Sequence, residues 1–216
     1  MNAFVKEFHE KKIIVVCRGI DLEEMPKVAQ ALYDGGIRMM EITYNQKAPE
    51  SWQTTAEAIG AIAEAFKGRM LVGAGTVTTP ELVELTAKHG GRFIISPDTK
   101  ESVIRKTREL GLVSMPGAFT PTEVLAAHDA GGDVVKLFPV GVMGTGYLKA
   151  LCAPISHVKI MAVGGINEKN AADFIAAGAV GVGVGGNLAN KTWIDNGEYY
   201  KITENAAALV AAVKGK

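Results

Sequence analysis

The chain alternates between amphipathic stretches of helical period and short apolar runs rich in β-branched residues, with glycine at most of the junctions. Ala31-Leu32-Tyr33-Asp34-Gly35-Gly36 leads into Ile37 to Thr43, and Lys88-His89-Gly90-Gly91 leads into Arg92 to Pro97. Glu109-Leu110-Gly111, Asp129-Ala130-Gly131-Gly132 and Ala176-Ala177-Gly178 likewise precede Leu112 to Pro116, Asp133 to Pro139 and Ala179 to Gly186. The glycines stand where a helix end needs positive φ, and each apolar run has the character of a strand buried on both faces. Helix starts are predicted where a capping side chain stands three residues before an acid: Asp21 with Glu24, Asp98 with Glu101, and Thr120 with Glu123. Pro121 then takes the first helical position.

The runs Ile13 to Cys17, Met70 to Gly73 and His157 to Val163 bring the strand candidates to eight. Strand alternating with helix at this count fits a closed (β/α)8 TIM barrel better than an open doubly wound sheet. At 216 residues, against roughly 250 typical of that fold, the loops must be lean. No linker interrupts the pattern, so residues 1–216 read as one α/β domain. Met1 to Lys12, with Phe4, Val5 and Phe8 at helical spacing, is predicted to cover one barrel end.

Composition narrows the function. With 48% apolar and 21% charged residues the chain is not disordered, and Lys plus Arg equals Asp plus Glu at 23 each. It therefore lacks the overall basic field that drives nonspecific binding to nucleic acid or anionic lipid. Cys17 and Cys152 stand apart from each other and from any Cys/His cluster, which argues against a structural zinc site or a disulfide scaffold. Met1 to Lys12 carries five charges and no apolar signal core, and no apolar run is long enough to span a bilayer. The expectation is a cytoplasmic protein with neither a nucleic-acid nor a membrane partner.

In such a barrel chemistry lies at the C-terminal ends of the strands. Two ionisable residues interrupt apolar runs there: Lys136 in Val134-Val135-Lys136-Leu137-Phe138-Pro139 and Glu41 in Met39-Met40-Glu41-Ile42-Thr43. Alternation places Val134, Lys136 and Phe138 on one face. A lysine can snorkel to solvent from such a position, and the two charges can form a structural ion pair. Facing a cavity, the same two groups form an acid/base site. A lysine of ordinary pKa near 10.4 is neutral only about once in 10³ molecules at pH 7, so apolar walls such as Val134, Leu137 and Phe138 are what would make it a nucleophile. A neutral amine adds to a ketone carbon to form an iminium ion, chemistry that needs no metal and no cofactor.

The glycine pairs Gly164-Gly165 and Gly185-Gly186, the second followed by Asn187, end the last two strand candidates. Each is a plain tight turn or, at consecutive late strands ahead of helices, an anion cradle of backbone N–H groups. Arg18 offers a forked donor for a carboxylate or a surface ion pair, and Thr76 a hydroxyl. His9, His89, His128 and His157 fall away from these ends.

Taken together, Glu41-Ile42-Thr43, Gly73-Ala74-Gly75-Thr76-Val77, Ile95-Ser96-Pro97, Pro116-Gly117, Val135-Lys136-Leu137-Phe138-Pro139 and Val163-Gly164-Gly165-Ile166 resemble, in order and spacing, the 2-keto-3-deoxy-6-phosphogluconate and 4-hydroxy-2-oxoglutarate aldolases. The resemblance runs from about Ile13 to Asn187. It implies a Schiff-base lysine at Lys136 and a general acid/base at Glu41. Substrate contacts would come from Arg18, Thr43, Asn45, Thr76, Pro97 and Phe138, with phosphate held by Gly164, Gly165, Gly185, Gly186 and Asn187. It further implies a homotrimer that releases pyruvate and an aldehyde (glyceraldehyde 3-phosphate or glyoxylate) from a 2-keto-3-deoxy sugar acid. Many gluconate-type members carry arginine two residues after the threonine of the Glu-x-Thr motif, where this chain has Asn45. Asn45 with Arg18 and Val163 is similar to the branch acting on the galactonate epimer, which stands as the alternative. A noncatalytic sugar-phosphate-binding barrel is the more distant one.

Overall fold

The computed structural model describes residues 3–214. In chain order the elements are α1 (Ala3–Lys11), β1 (Ile13–Cys17), α2 (Met25–Asp34), β2 (Met39–Thr43), α3 (Trp52–Ala65), β3 (Leu71–Gly75), α4 (Pro80–Lys88), β4 (Phe93–Ile95), α5 (Glu101–Glu109), β5 (Val113–Met115) and β6 (Gly117–Ala118). They continue with α6 (Pro121–Asp129), β7 (Val135–Leu137), α7 (Gly144–Cys152), β8 (Ile160–Val163), α8 (Ala171–Ala176), β9 (Gly181–Val184), α9 (Lys191–Asp195) and α10 (Tyr199–Lys214). Every recorded strand pairing is parallel. The sheet order is β5-β4-β3-β2-β1-β9-β8-β7-β6, so its two ends are consecutive pieces of chain.

This is the α/β barrel expected, with one strand more than the eight predicted. The extra strand is a break rather than an addition: the run Leu112 to Pro116 continues through Gly117, and Pro116 splits it into β5 and β6. Proline has no N–H to give to a ladder. Its carbonyl still accepts from the Lys136 N–H at 2.8 Å, so the ring of strands closes around that residue.

Glycines after α2, α4, α5, α6 and α8 take the left-handed conformation, with φ of 93° at Gly36, 83° at Gly90, 72° at Gly111, 108° at Gly131 and 118° at Gly178. Of the three predicted caps only one forms. Thr120 and Glu123 make a reciprocal capping box with Pro121 just inside the helix. Glu24 is itself the residue before α2, its carboxylate accepts from Tyr199 and Lys27, and Asp21 only closes a turn ahead of the helix. Lys100 rather than Asp98 precedes α5, and the Asp98 carbonyl accepts from Gly117 N–H.

Alternation along the strands sorts the core into two layers. Ile13, Val15, Met40, Ile42, Val72, Ala74, Val135, Leu137, Ala162 and Val182 face outward under the helices. Ile14, Met39, Phe93, Ile95, Val113, Met115, Val134, Met161 and Val163 fill the barrel interior. Phe4 and Phe8 of α1 belong to this inner layer and stop the end where the strands begin. The Phe4 and Phe93 rings lie 5.2 Å apart, and a Cβ on Gly181 would stand 2.3 Å from Phe8, so a glycine there makes room for the plug. The side chain of Val5 lies outside the described residues. Among those residues no helix is long and apolar enough to cross a membrane.

Because Phe8 is fully buried in the inner layer, Phe8→Ala is expected to cost about 3–5 kcal/mol in urea unfolding. A loss below about 1 kcal/mol would mean that α1 does not hold the inner layer.

Candidate functional site

Parity puts Lys136 of β7 and Glu41 of β2 among the inward-facing positions, four strands apart in the sheet order and so on opposite walls of the barrel. Lys136 is 6% exposed and Glu41 0%. Both line one small space with Ile14, Val16, Ile95, Met161, Val163 and Gly183. Glu41 is seated by the neighbouring strand: a Cβ on Gly75 would stand 2.5 Å from its Oε1, so the carboxyl occupies the space a side chain would have taken. Neither carboxyl oxygen has a hydrogen-bond partner among the described residues, and no ion pair joins it to Lys136.

An isolated buried carboxylate is costly, and the group responds by holding its proton. Burial pushes Glu41 up to about 7 against the opposing pull of the Lys136 and Arg18 charges. Burial likewise lowers Lys136, with Glu41 raising it and Arg18 lowering it further. The ammonium position is 4.9 Å from the centre of the Phe138 ring. The pair thus offers, near neutral pH, a carboxyl poised between its two forms and an amine moved toward its neutral one.

Above this floor opens a cavity of about 590 Å³, in the size range of small-molecule sites. Its lining includes Arg18, Thr76, Pro97, Lys136, Phe138, Gly164, Gly165, Gly185, Gly186 and Asn187, so ten of the thirteen residues singled out in the sequence meet around one space. Glu41 lies beneath it. Thr43 and Asn45 do not reach it; they line an adjoining pocket of about 360 Å³ that shares Arg18 and Thr76 as its wall. Asn45 is engaged in its own loop, its side-chain oxygen accepting from Lys47 N–H and its carbonyl from Trp52 Nε1.

At one side of the mouth Thr76 has φ of 57°, an unusual conformation for a β-branched residue. Such backbone strain costs on the order of 1–3 kcal/mol and persists only where neighbours hold it. Arg18 Nη2 donates to the Thr76 hydroxyl at 2.8 Å, and Gln46 Nε2 donates to its carbonyl at 2.8 Å.

At the other side Gly164 and Gly165 both have positive φ, 95° and 74°, a conformation that favours glycine. Asn170 holds the Gly165 carbonyl at 2.9 Å and Asn187 the Ile166 carbonyl at 3.3 Å. The N–H groups of Gly165, Ile166, Gly186 and Asn187 find no acceptor among the described residues. The expected help from helix N-termini is missing. The short helices α8 and α9 start at Ala171 and Lys191, several residues beyond the glycines, and the Asn190 side chain already caps α9. The free donors at this side are therefore loop N–H groups rather than helix ends.

The fold and this geometry can be set beside known proteins. The model of the family described as aldolase, KDPG and KHG aldolase, matches residues 5–205. The chain belongs to that family. It is 38% identical over 180 residues to a probable 2-dehydro-3-deoxy-6-phosphogalactonate aldolase of Rhizobium meliloti (strain 1021), covering 83% of this chain and 82% of the relative. It is 37% identical over 177 residues to the 2-dehydro-3-deoxy-6-phosphogalactonate aldolase of Escherichia coli (strain K12), covering 82% and 83%. Among solved structures, a KDPG aldolase from Legionella pneumophila with pyruvate captured as a covalent carbinolamine superposes with a TM-score of 0.84 at 27% identity, over 96% of this chain and 98% of that one. Family membership makes this chain an aldolase and hence a lyase.

Sequence reasoning missed Gln46 and Asn170, the side chains that hold the two sides of the aldolase mouth. Both stand in polar loops where polar residues are ordinary, so one sequence carries no signal for them.

The Glu41 environment has a thermodynamic consequence. Between pH 4.5 and about 7 the folded chain keeps a proton that the unfolded chain has released, so stability falls as pH rises through that window. Below it both states are protonated, and above it the penalty is complete. Glu41→Gln should remove this dependence, so the stability difference between variant and wild type shifts in the variant's favour by on the order of 3 kcal/mol from pH 4.5 to 7.5. A difference that stays flat across these pH values in urea titrations would show that the carboxyl titrates normally.

Proposed function

We propose that this aldolase cleaves a 2-keto-3-deoxy-6-phospho sugar acid through a Schiff base on Lys136, with Glu41 as its acid/base. The observation that carries the reading is the buried amine facing a buried, hydrogen-bond-free carboxyl beneath an open cavity. The Lys136 amine adds to the carbon-two ketone, and the carbinolamine loses water to an iminium ion. Glu41, directly or through a water, takes the proton of the carbon-four hydroxyl. The bond between carbons three and four breaks, its electron pair passes into the enamine, and the aldehyde leaves. Protonation at carbon three and hydrolysis of the iminium return Lys136 and release pyruvate. No net oxidation occurs, and no step calls for a metal or cofactor.

Within this reading Arg18 and Thr76 meet the carboxylate end, Pro97 and Phe138 wall the pyruvyl portion, and Gly164, Gly165, Gly185, Gly186 and Asn187 cradle the phosphate. Thr43 and Asn45 act from the adjoining pocket. The galactonate epimer is the preferred substrate rather than the gluconate one: the relatives named for it support this, as does Asn45 where many gluconate-type members carry arginine. A cytoplasmic setting and a homotrimer complete the proposal. Phe138, Val142 and Met143 expose apolar surface after β7, beside the mouth, where a second copy would cover it.

Borohydride reduction in the presence of pyruvate should leave a 1-carboxyethyl group on the Lys136 amine of its peptide, and Lys136→Ala should abolish it. Wild-type protein that stays unmodified would reject the imine. In a coupled assay of pyruvate release, kcat/KM for the galactonate epimer should exceed that for the gluconate epimer by about tenfold or more. Equal or reversed values would return the assignment to the gluconate branch.

A further inference from the structure

We propose that Gln46 is a positioning residue for the aldol reaction, holding Thr76 in its left-handed conformation so that the Thr76 hydroxyl orients Arg18 at the mouth. The inference rests on the reading of the Lys136 cavity as the pyruvyl pocket. The Gln46 amide is used at both ends: Nε2 donates to the Thr76 carbonyl at 2.8 Å, and Oε1 accepts from the Thr78 hydroxyl at 2.8 Å. Lys100 Nζ in turn donates to the Thr78 carbonyl at 3.0 Å, tying the loop after β3 to the start of α5. A carboxylate at this position could accept from Thr78 but could not donate to Thr76. The donor end matters because it grips the backbone of the strained residue itself.

With φ of 57°, Thr76 needs such a grip. Released, it would turn toward the extended region that β-branched residues favour, carrying both carbonyl and hydroxyl away. Arg18 would then lose its recorded side-chain partner, the Thr76 hydroxyl at 2.8 Å; no carboxylate pairs with it among the described residues. Arg18 and Thr76 also form the partition between the main cavity and the pocket containing Thr43 and Asn45, so their displacement would merge the two spaces. Gln46 lines only the second space. It acts on substrate binding through Thr76 and makes no contact with Lys136 or Glu41.

The test uses Gln46→Glu, Gln46→Ala and Thr76→Val, singly and combined. Both Gln46 variants should raise KM for the cleaved sugar acid about fivefold to tenfold with kcat within twofold of wild type. In the Thr76→Val background the Gln46 change should add nothing further, because its effect passes through that residue. Crystals of Gln46→Glu without substrate should show Thr76 out of the left-handed region and the Arg18 hydrogen bond broken. A Thr76 that keeps its conformation in that variant, an unchanged KM, or additive effects in the double variant would each overturn the proposal. Absence of pyruvate trapping by wild type, with Thr76 still relaxing in the variant, would strike the Lys136 reading while leaving the coupling of Gln46 to Thr76 standing.

Discussion

A carboxyl and an amine share the inside of an apolar barrel without touching, and the chemistry of the site follows from that separation. In a contact ion pair each partner stabilises the charge of the other, which would hold Glu41 ionised and Lys136 protonated. Here the attraction is present but burial outweighs it for both groups, so the carboxyl rises to about 7 and the amine falls. Burial thus moves both groups toward their neutral forms. An acid/base with a pKa near the working pH and an amine with an available lone pair are what imine chemistry requires.

Keeping the two apart is a packing problem, and the barrel solves it with unequal strands. β3 and β9 contribute glycines to the interior, where bulky neighbours fill the space: a Cβ on Gly73 would stand 2.6 Å from the Phe93 ring, and one on Gly183 would stand 2.8 Å from Val163. Gly75 does the same for Glu41, whose carboxyl rests against β3 in the space a Cβ would fill. The inner layer below, stopped by Phe4 and Phe8, keeps water from entering by the other end. Stability and electrostatics are thus one arrangement, since the residues that make the interior dense are those that deny the charges their solvent.

Much of this was legible in the sequence, for physical reasons that differ by feature. The strands were visible because a sheet buried on both faces needs continuous apolar runs, and the barrel because the runs recur with helices between them. Lys136 and Glu41 were visible because a charge inside such a run is costly and so conspicuous. The break at Pro116 could be read only as the end of a strand, since nothing local says that the chain resumes its pairing one residue later. Thr76 gave no warning, because a strained φ is set by distant partners such as Gln46 rather than by residue type. Asp21 and Asp98 have the spacing of caps, yet tertiary contacts of Glu24 and of the Asp98 backbone take precedence. The glycine pairs were found, but their distance from α8 and α9 depends on loop paths that composition does not encode.

The two sides of the mouth are built from different materials, and this limits where substrate preference can be set. One side is backbone: N–H groups of Gly165, Ile166, Gly186 and Asn187, with two successive residues at positive φ that strongly favours glycine. A side-chain change there mostly destroys the turn. The other side is a chain of side chains, Arg18, Thr76, Gln46 and Thr78, in which each member can be exchanged for another polar group with a new geometry and the barrel left intact. Under the proposed reading, discrimination between epimeric sugar acids that share a phosphate and a ketone falls to the loops after β1, β2 and β3. Asn45 stands in one of those loops.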